Sequence, residues 1–228
     1  MIDCFLAVDF DGTIAETDVT DAVLERFASK EWLAVEELWL NGAIGSRECL
    51  ARQIELVDAD LVTVFSFIDG ITIDSHFGRF VSFVDDKRLA CAIISDGFAP
   101  FIRRILIGAG HDGLPVYAND VVEENGRLRA SFPDSDDECL AGTCKCTLAE
   151  KLSGDRPVVL IGDGGSDFCL ASKASFVFAK DKLAAYCRQK GIPHIEFADF
   201  GEVIEGLLRL DEVTLRRRVK AIMREGIV

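Results

Sequence analysis

The chain has 228 residues, with 25 basic against 39 acidic side chains, a formal net charge of −14, eight cysteines and a hydrophobic share of 49%. That length suits one domain of ordinary size or a domain carrying a large insertion, and the hydrophobic share beside only five prolines excludes a disordered chain. The acidic balance excludes a generic nucleic-acid binder, whose phosphate contacts need clustered Lys and Arg, but a small anionic substrate needs only a local positive site.

The opening stretch, Met1 to Asp9, has no basic leader followed by a long apolar run, so no signal peptide is expected. No apolar run approaches the roughly 20 residues of a membrane span, and no membrane association is expected. The cysteines read as reduced, mostly buried thiols. The expectation is a cytoplasmic protein, monomeric or homodimeric.

In chain order, Phe5-Leu6-Ala7-Val8 is a short run apolar on both faces, which predicts a buried central strand. About eighty residues separate it from the next such run, too many for one crossover helix. They are helix-patterned: Val19, Val23 and Phe27 recur at helical spacing, then Trp32, Val35, Leu38 and Trp39, then Cys49, Leu50, Ile54 and Val57. Residues 15–77 therefore read as a helical subdomain inserted into an α/β domain formed by 1–14 and 78–228. A second strand is predicted over 89–94, with Ser95 at its tip and a helix beginning near Phe98. Val121, Val122 and Leu128 flank Glu124-Asn125-Gly126, the strongest short hairpin signal. A helix begins at Lys145 and runs through Leu148 and Leu152. Strands follow over 158–161 and 175–178. The tail from Asp199 is helical and ends in Arg216-Arg217-Arg218, which reads as a solvated face. Strand, turn and helix in alternation predict a parallel sheet with helices on its faces.

In such a sheet, ligands bind outside the carboxyl ends of the strands. After the first strand comes Asp9-Phe10-Asp11-Gly12-Thr13. Two carboxylates there are costly to bury unless partnered, and magnesium, which favours one or two carboxylates plus phosphate oxygens, is a fitting partner. Ser95, in Ser95-Asp96-Gly97, can donate to an anion beside a helix N-terminus. Lys145 opposes the macrodipole of the helix it opens, which suits a lysine facing an anion. After 158–161 comes Gly162-Asp163-Gly164-Gly165-Ser166-Asp167, with two more acids on a glycine loop. Each signal alone is modest, since turns, caps and surface lysines use the same residues. Their joint order carries the reading.

These four segments together resemble the motifs of the haloacid dehalogenase superfamily, and the resemblance covers nearly the whole chain, the helical insertion included. Within it the chain is most similar to the branch of phosphoserine phosphatase and the methionine-salvage phosphatase, through Glu31-Trp32-Leu33-Ala34, Phe80-Val81-Ser82-Phe83, Cys144-Lys145, Phe178-Ala179-Lys180-Asp181 and Ala198-Asp199-Phe200. The resemblance implies a Rossmann-like α/β core with a helical cap and a magnesium-dependent phosphatase of a small phosphorylated metabolite. Asp9 would be the nucleophile and Asp11 the general acid and base. Ser95, Asp96 and Lys145 would surround the phosphate. Asp9, Asp11 (through its backbone carbonyl) and Asp163 would hold Mg2+, with Asp167 and Thr13 orienting that group. Asp18 and Arg52 match cap positions that contact substrate, although Asp18 also suits a helix cap and Arg52 a surface. The branch's second motif often continues Ser-Gly-Gly, so Asp96 adds an acid that weakens transfer of the exact substrate. The methionine-salvage ester, a phosphoamino acid and a phosphoamine all stay open as substrates, and a phosphomutase, a phosphotransferase or a non-catalytic binding protein on the same fold stay open as alternatives. Cys139, Cys144 and Cys146 raise a zinc alternative, disfavoured because tetrahedral zinc needs four ligands at fuller spacing.

Overall fold

The computed structural model describes residues 3–210. By their internal contacts the residues fall into two units, one of 3–14, 73–94 and 145–210, the other of 15–72 and 95–144.

In the first unit β1 (Phe5–Val8) lies between β2 (Ala90–Phe98) and β5 (Val158–Gly162), parallel to both. All four β1 residues are buried, which is why the run carries no polar alternation. The register sets Val8 beside Ile93 on one side and Ile161 on the other. β6 (Phe176–Ala179) and β7 (His194–Glu196) continue the sheet in parallel. The helices of this unit are α5 (Phe77–Lys87), α7 (Lys145–Ser153), α8 (Phe168–Lys173), α9 (Asp181–Lys190) and α10 (Phe200–Arg209). Asp199 caps α10 by accepting from the backbone N–H groups of Gly201 and Glu202, and Phe200 seats against Phe77 and Phe80 at ring separations of 5.1 and 4.8 Å. The predicted tail helix is thus present. The Arg216-Arg217-Arg218 face lies outside the described residues.

The second unit contains α1 (Val19–Phe27), α2 (Trp32–Leu40), α3 (Ser46–Ile54), α4 (Leu61–Ile68) and α6 (Ala99–Gly108), with the antiparallel pair β3 (Val116–Glu124) and β4 (Arg127–Ser131). The hairpin turns at Asn125 and Gly126, both at positive φ (52° and 74°), as a two-residue turn of matching twist requires.

One local expectation is corrected. β2 does not stop at Ile94 with Ser95 at its tip; it runs to Phe98, and α6 begins at Ala99. The side chain of Asn119 donates to the Asp96 carbonyl at 2.6 Å, a bond that helps hold the Ser95–Gly97 stretch extended. β7 gave no signal in the sequence, being three residues long and only partly buried.

Candidate active site

β1 and β5 end side by side, so the residues that follow them converge. Asp9 is buried, its own backbone N–H donating to the Ile161 carbonyl at 2.9 Å. Asp163 follows β5, and a ligand atom from each of Asp9, Asp163 and Asp167 lies within 4.8 Å of the others. Among the described residues these three are the group able to share a metal ion.

Lys145, the first residue of α7, sends its ammonium into this group. Nζ lies 2.8 Å from Asp9 Oδ1 and 2.6 Å from Asp167 Oδ1. Asp167 is fully buried, and its Oδ2 accepts from the backbone N–H groups of Asp163 (3.2 Å) and Gly164 (3.3 Å). Both oxygens of Asp167 are therefore engaged, one holding Lys145 and the other shaping the glycine loop. Gly162 makes this approach possible, since a Cβ there would overlap the Asp167 carboxylate. Thr13 donates through Oγ1 to Asp163 Oδ1 at 3.0 Å. Gly12, at φ +67°, permits the sharp exit after Asp11, and a Cβ on it would run into the Asp163 carboxylate.

The electrostatics follow from two buried acids, Asp9 and Asp167, and a part-buried third, Asp163, around one lysine. Burial, then the charges of Asp167 and Asp163, push the Asp9 carboxyl well above its ordinary range, and Lys145 opposes them. Burial first, then Asp167, push Asp163 up to about 6, against the Thr13 hydrogen bond and the charges of Lys145 and Lys180. Burial alone would lower the Lys145 ammonium, but attraction to Asp167 and Asp9, with hydrogen bonds to both, holds it above the usual lysine range. Lys145 is thus a fixed positive charge at any physiological pH.

Lys180 was not singled out from the sequence as a site residue. It follows β6 at the same carboxyl edge, donates to the Thr13 carbonyl at 3.4 Å and lies over the Phe197 ring. The rule that drew attention to the residues after β1 and β5 applies equally to this position.

Asp11 follows Phe10 on the same turn and is partly exposed. The remaining expected residues belong to the second unit. Ser95 is buried and its Oγ accepts from the Gly97 N–H at 3.0 Å. The Asp96 carboxylate accepts from the hydroxyl of Ser46, from the Thr143 N–H at 2.8 Å and from the Asn119 amide at 3.3 Å. Asn119, fully buried, accepts in turn from the Thr143 hydroxyl at 3.0 Å. Arg47, next to Ser46, donates to the carbonyls of Asp136, Cys139 and Ala141. Asp18 is the N-cap of α1, accepting from the Asp21 N–H at 2.9 Å. Arg52 is exposed on α3 and pairs with Glu48 one turn back at 3.3 Å.

A buried lysine thus bridges an acid after the first strand to an acid on a later glycine loop. The family model described as "Putative Phosphatase" matches residues 4–182. The chain belongs to this phosphatase family. It is 31% identical over 214 residues to a 2-hydroxy-3-keto-5-methylthiopentenyl-1-phosphate phosphatase of Geobacillus kaustophilus, covering 91% of this chain and 97% of the relative. A protein of the same description from Bacillus velezensis is 31% identical over 90% of each chain. A substrate-bound phosphoserine phosphatase is similar in fold, with a TM-score of 0.68 at 19% identity over 90% of this chain and 98% of that one. The phosphatase is therefore a phosphoric monoester hydrolase on an α/β fold, as the sequence led us to expect. No helix among its described residues is long and apolar enough to cross a membrane.

Proposed function

We propose that the phosphatase hydrolyses a small phosphorylated metabolite through an aspartyl-phosphate, with Mg2+ as cofactor. The carrying observation is the buried Lys145 ammonium bonded to both Asp9 and Asp167, with Asp163 alongside. Asp9 is the nucleophile and attacks phosphorus while the alcohol leaves. Asp11 protonates that alcohol, then takes a proton from the water that hydrolyses the intermediate. Lys145 offsets charge on the transferring phosphoryl group, and Ser95 is assigned to its oxygens. Asp96 is assigned to positioning Ser95, because its carboxylate already accepts from Ser46, Thr143 and Asn119.

The donor set fits a hard divalent cation: the crowded Asp9 and Asp163 carboxylates are all-oxygen ligands whose charge Lys145 alone does not balance. Asp9, Asp163 and the Asp11 carbonyl would hold it. Magnesium there would keep Asp9 ionised and neutralise phosphate charge. Asp167, with both oxygens engaged, and Thr13 are assigned to orienting Lys145 and Asp163.

A pH-dependent response to metal follows. Because the native pKa of Asp163 lies above its unfolded value, ionising it costs the metal-free protein stability as pH rises from about 4 to above 6. A bound cation reverses that cost, and below pH 6 protons compete with it. At 100-fold excess over its dissociation constant, Mg2+ should raise Tm by about 5–10 °C at pH 7.5 and clearly less at pH 5. Differential scanning fluorimetry with EDTA as reference checks this; an equal response at both pH values would count against Asp163 as a ligand.

For the substrate, the similarity to the methionine-salvage phosphatases favours 2-hydroxy-3-keto-5-methylthiopentenyl-1-phosphate over phosphoserine or a phosphoamine. Residues 15–77 are assigned as the cap, with Asp18 and Arg52 in substrate contact. Arg52→Ala should leave Tm within about 2 °C, because an exposed i,i+4 pair contributes little. It should raise KM for the preferred metabolite about tenfold while changing p-nitrophenyl phosphate hydrolysis less than twofold. Equal effects on both esters would remove Arg52 from the substrate contacts. A panel of these phosphate esters, assayed with Mg2+ and with EDTA, tests the whole reading; turnover in EDTA would overturn the metal assignment.

A further inference from the structure

Two cysteines stand outside the phosphatase chemistry but directly beside it. Cys146 follows Lys145 as the second residue of α7, and Cys169 is the second residue of α8, two positions after Asp167. They are 23 positions apart in sequence, yet their sulfurs are 2.9 Å apart. A disulfide needs about 2.05 Å, so bond formation asks the sulfurs to close by less than about 1 Å. Cys169 is exposed and Cys146 partly so, which leaves the pair open to a small oxidant. Four other thiols, Cys4, Cys49, Cys144 and Cys187, are buried. Burial also pushes Cys4 and Cys49 up to about 12 and Cys91 higher still, which keeps those three protonated and unreactive.

We propose that Cys146 and Cys169 form an oxidation site, converted by a hydroperoxide into an intrachain disulfide that ties the head of α7 to the head of α8. One thiolate attacks a peroxide oxygen, the O–O bond breaks, and the released hydroxide takes the thiol's proton to leave as water. The product is a sulfenic acid. The second thiolate attacks that sulfur, the S–S bond forms, the S–O bond breaks and a second water leaves. Two thiols and one hydrogen peroxide give one disulfide and two waters. The new bond runs alongside the ion pair between Lys145 and Asp167, which joins the same two helix heads at 2.6 Å. It also closes a loop in the unfolded chain, so oxidation stabilises the fold. The proposal rests on the geometry of the thiols and stands apart from the catalytic scheme.

The test treats the full chain with a small excess of hydrogen peroxide, then alkylates and maps tryptic peptides without reductant. The expected result is a monomeric product with the Cys146 and Cys169 peptides cross-linked, reversed by dithiothreitol, and a Tm about 5 °C higher than the reduced form. Cys169→Ser, at an exposed position, should give no cross-link and no rise in Tm, and should leave a sulfenic acid on Cys146 that dimedone traps. The proposal is overturned if both cysteines stay alkylatable, if the bond joins a different pair or two chains, or if it forms without raising Tm.

Discussion

Asp9→Asn is expected to lower kcat by about 10³-fold or more while leaving the metal-free protein at least as heat-stable as the parent. The two halves of this result have separate causes. An amide cannot serve as the carboxylate nucleophile, so turnover falls whatever the substrate. Asp9, however, is buried against Asp163 and Asp167, and its charge is held there at a cost that burial and the two neighbouring acids set. Asparagine keeps the acceptor that takes the Phe10 N–H at 2.8 Å, and Lys145 keeps its bond to Asp167. Removing the charge therefore relieves repulsion without orphaning a partner. Steady-state kinetics on p-nitrophenyl phosphate with Mg2+, beside a melting curve in EDTA, reads both. Substantial turnover in the variant would remove Asp9 as nucleophile.

Lys145→Ala is expected to fail in the opposite way, losing stability as well as activity. The ammonium is the shared partner of two buried carboxylates, at 2.8 Å from Asp9 and 2.6 Å from Asp167. Truncating it leaves both acids buried beside Asp163 with no counter-charge in place. Breaking a buried pair from one side costs about 3 kcal/mol or more, a fall in Tm on the order of 10 °C for a chain of this size. Turnover should drop about 10²- to 10³-fold, because the fixed positive charge that offsets the transferring phosphoryl group is gone. The stability loss should shrink in Mg2+ and at pH 5, where a cation or protons neutralise Asp9 and Asp163 instead. A melting series across pH and metal, with kcat at each point, separates these effects. A loss of Tm independent of both would mean that Lys145 acts by packing alone.

The contrast between these two variants comes from an asymmetry that residue order does not contain. The sequence placed Asp9 and Asp163 after buried runs, and Lys145 at the head of a helix, by apolar patterning and strand-end logic. It could rank them as one constellation because each position has a local cause: an apolar run, a glycine turn, a helix start. It had no means of showing that one ammonium would satisfy two acids at once, or that Asp167 would use one oxygen for Lys145 and the other for the loop. Those facts depend on β1 and β5 being neighbours in register, which joins residues about 150 positions apart.

Where local propensity and tertiary setting disagree, the second decides. Leu61-Val62-Thr63-Val64-Phe65-Ser66-Phe67-Ile68 is rich in β-branched and aromatic residues, yet it forms α4, with the Asp60 carboxylate accepting from the Thr63 N–H at 2.8 Å and with Val64 and Ile68 buried. Ser95 was expected at a strand tip, and the bonds from Asn119 lie within a longer extended strand instead. The sequence by itself determined the buried strands, the Asn125-Gly126 turn, the helix following Asp199 and the positions of the acids, because each is written in neighbouring residues. Only the tertiary structure decided which acids share a lysine, what the Asp96 carboxylate holds, and that Cys146 meets Cys169. Each of these is a pairing between distant segments, and its energy exists only once the backbone has brought the partners within bonding distance.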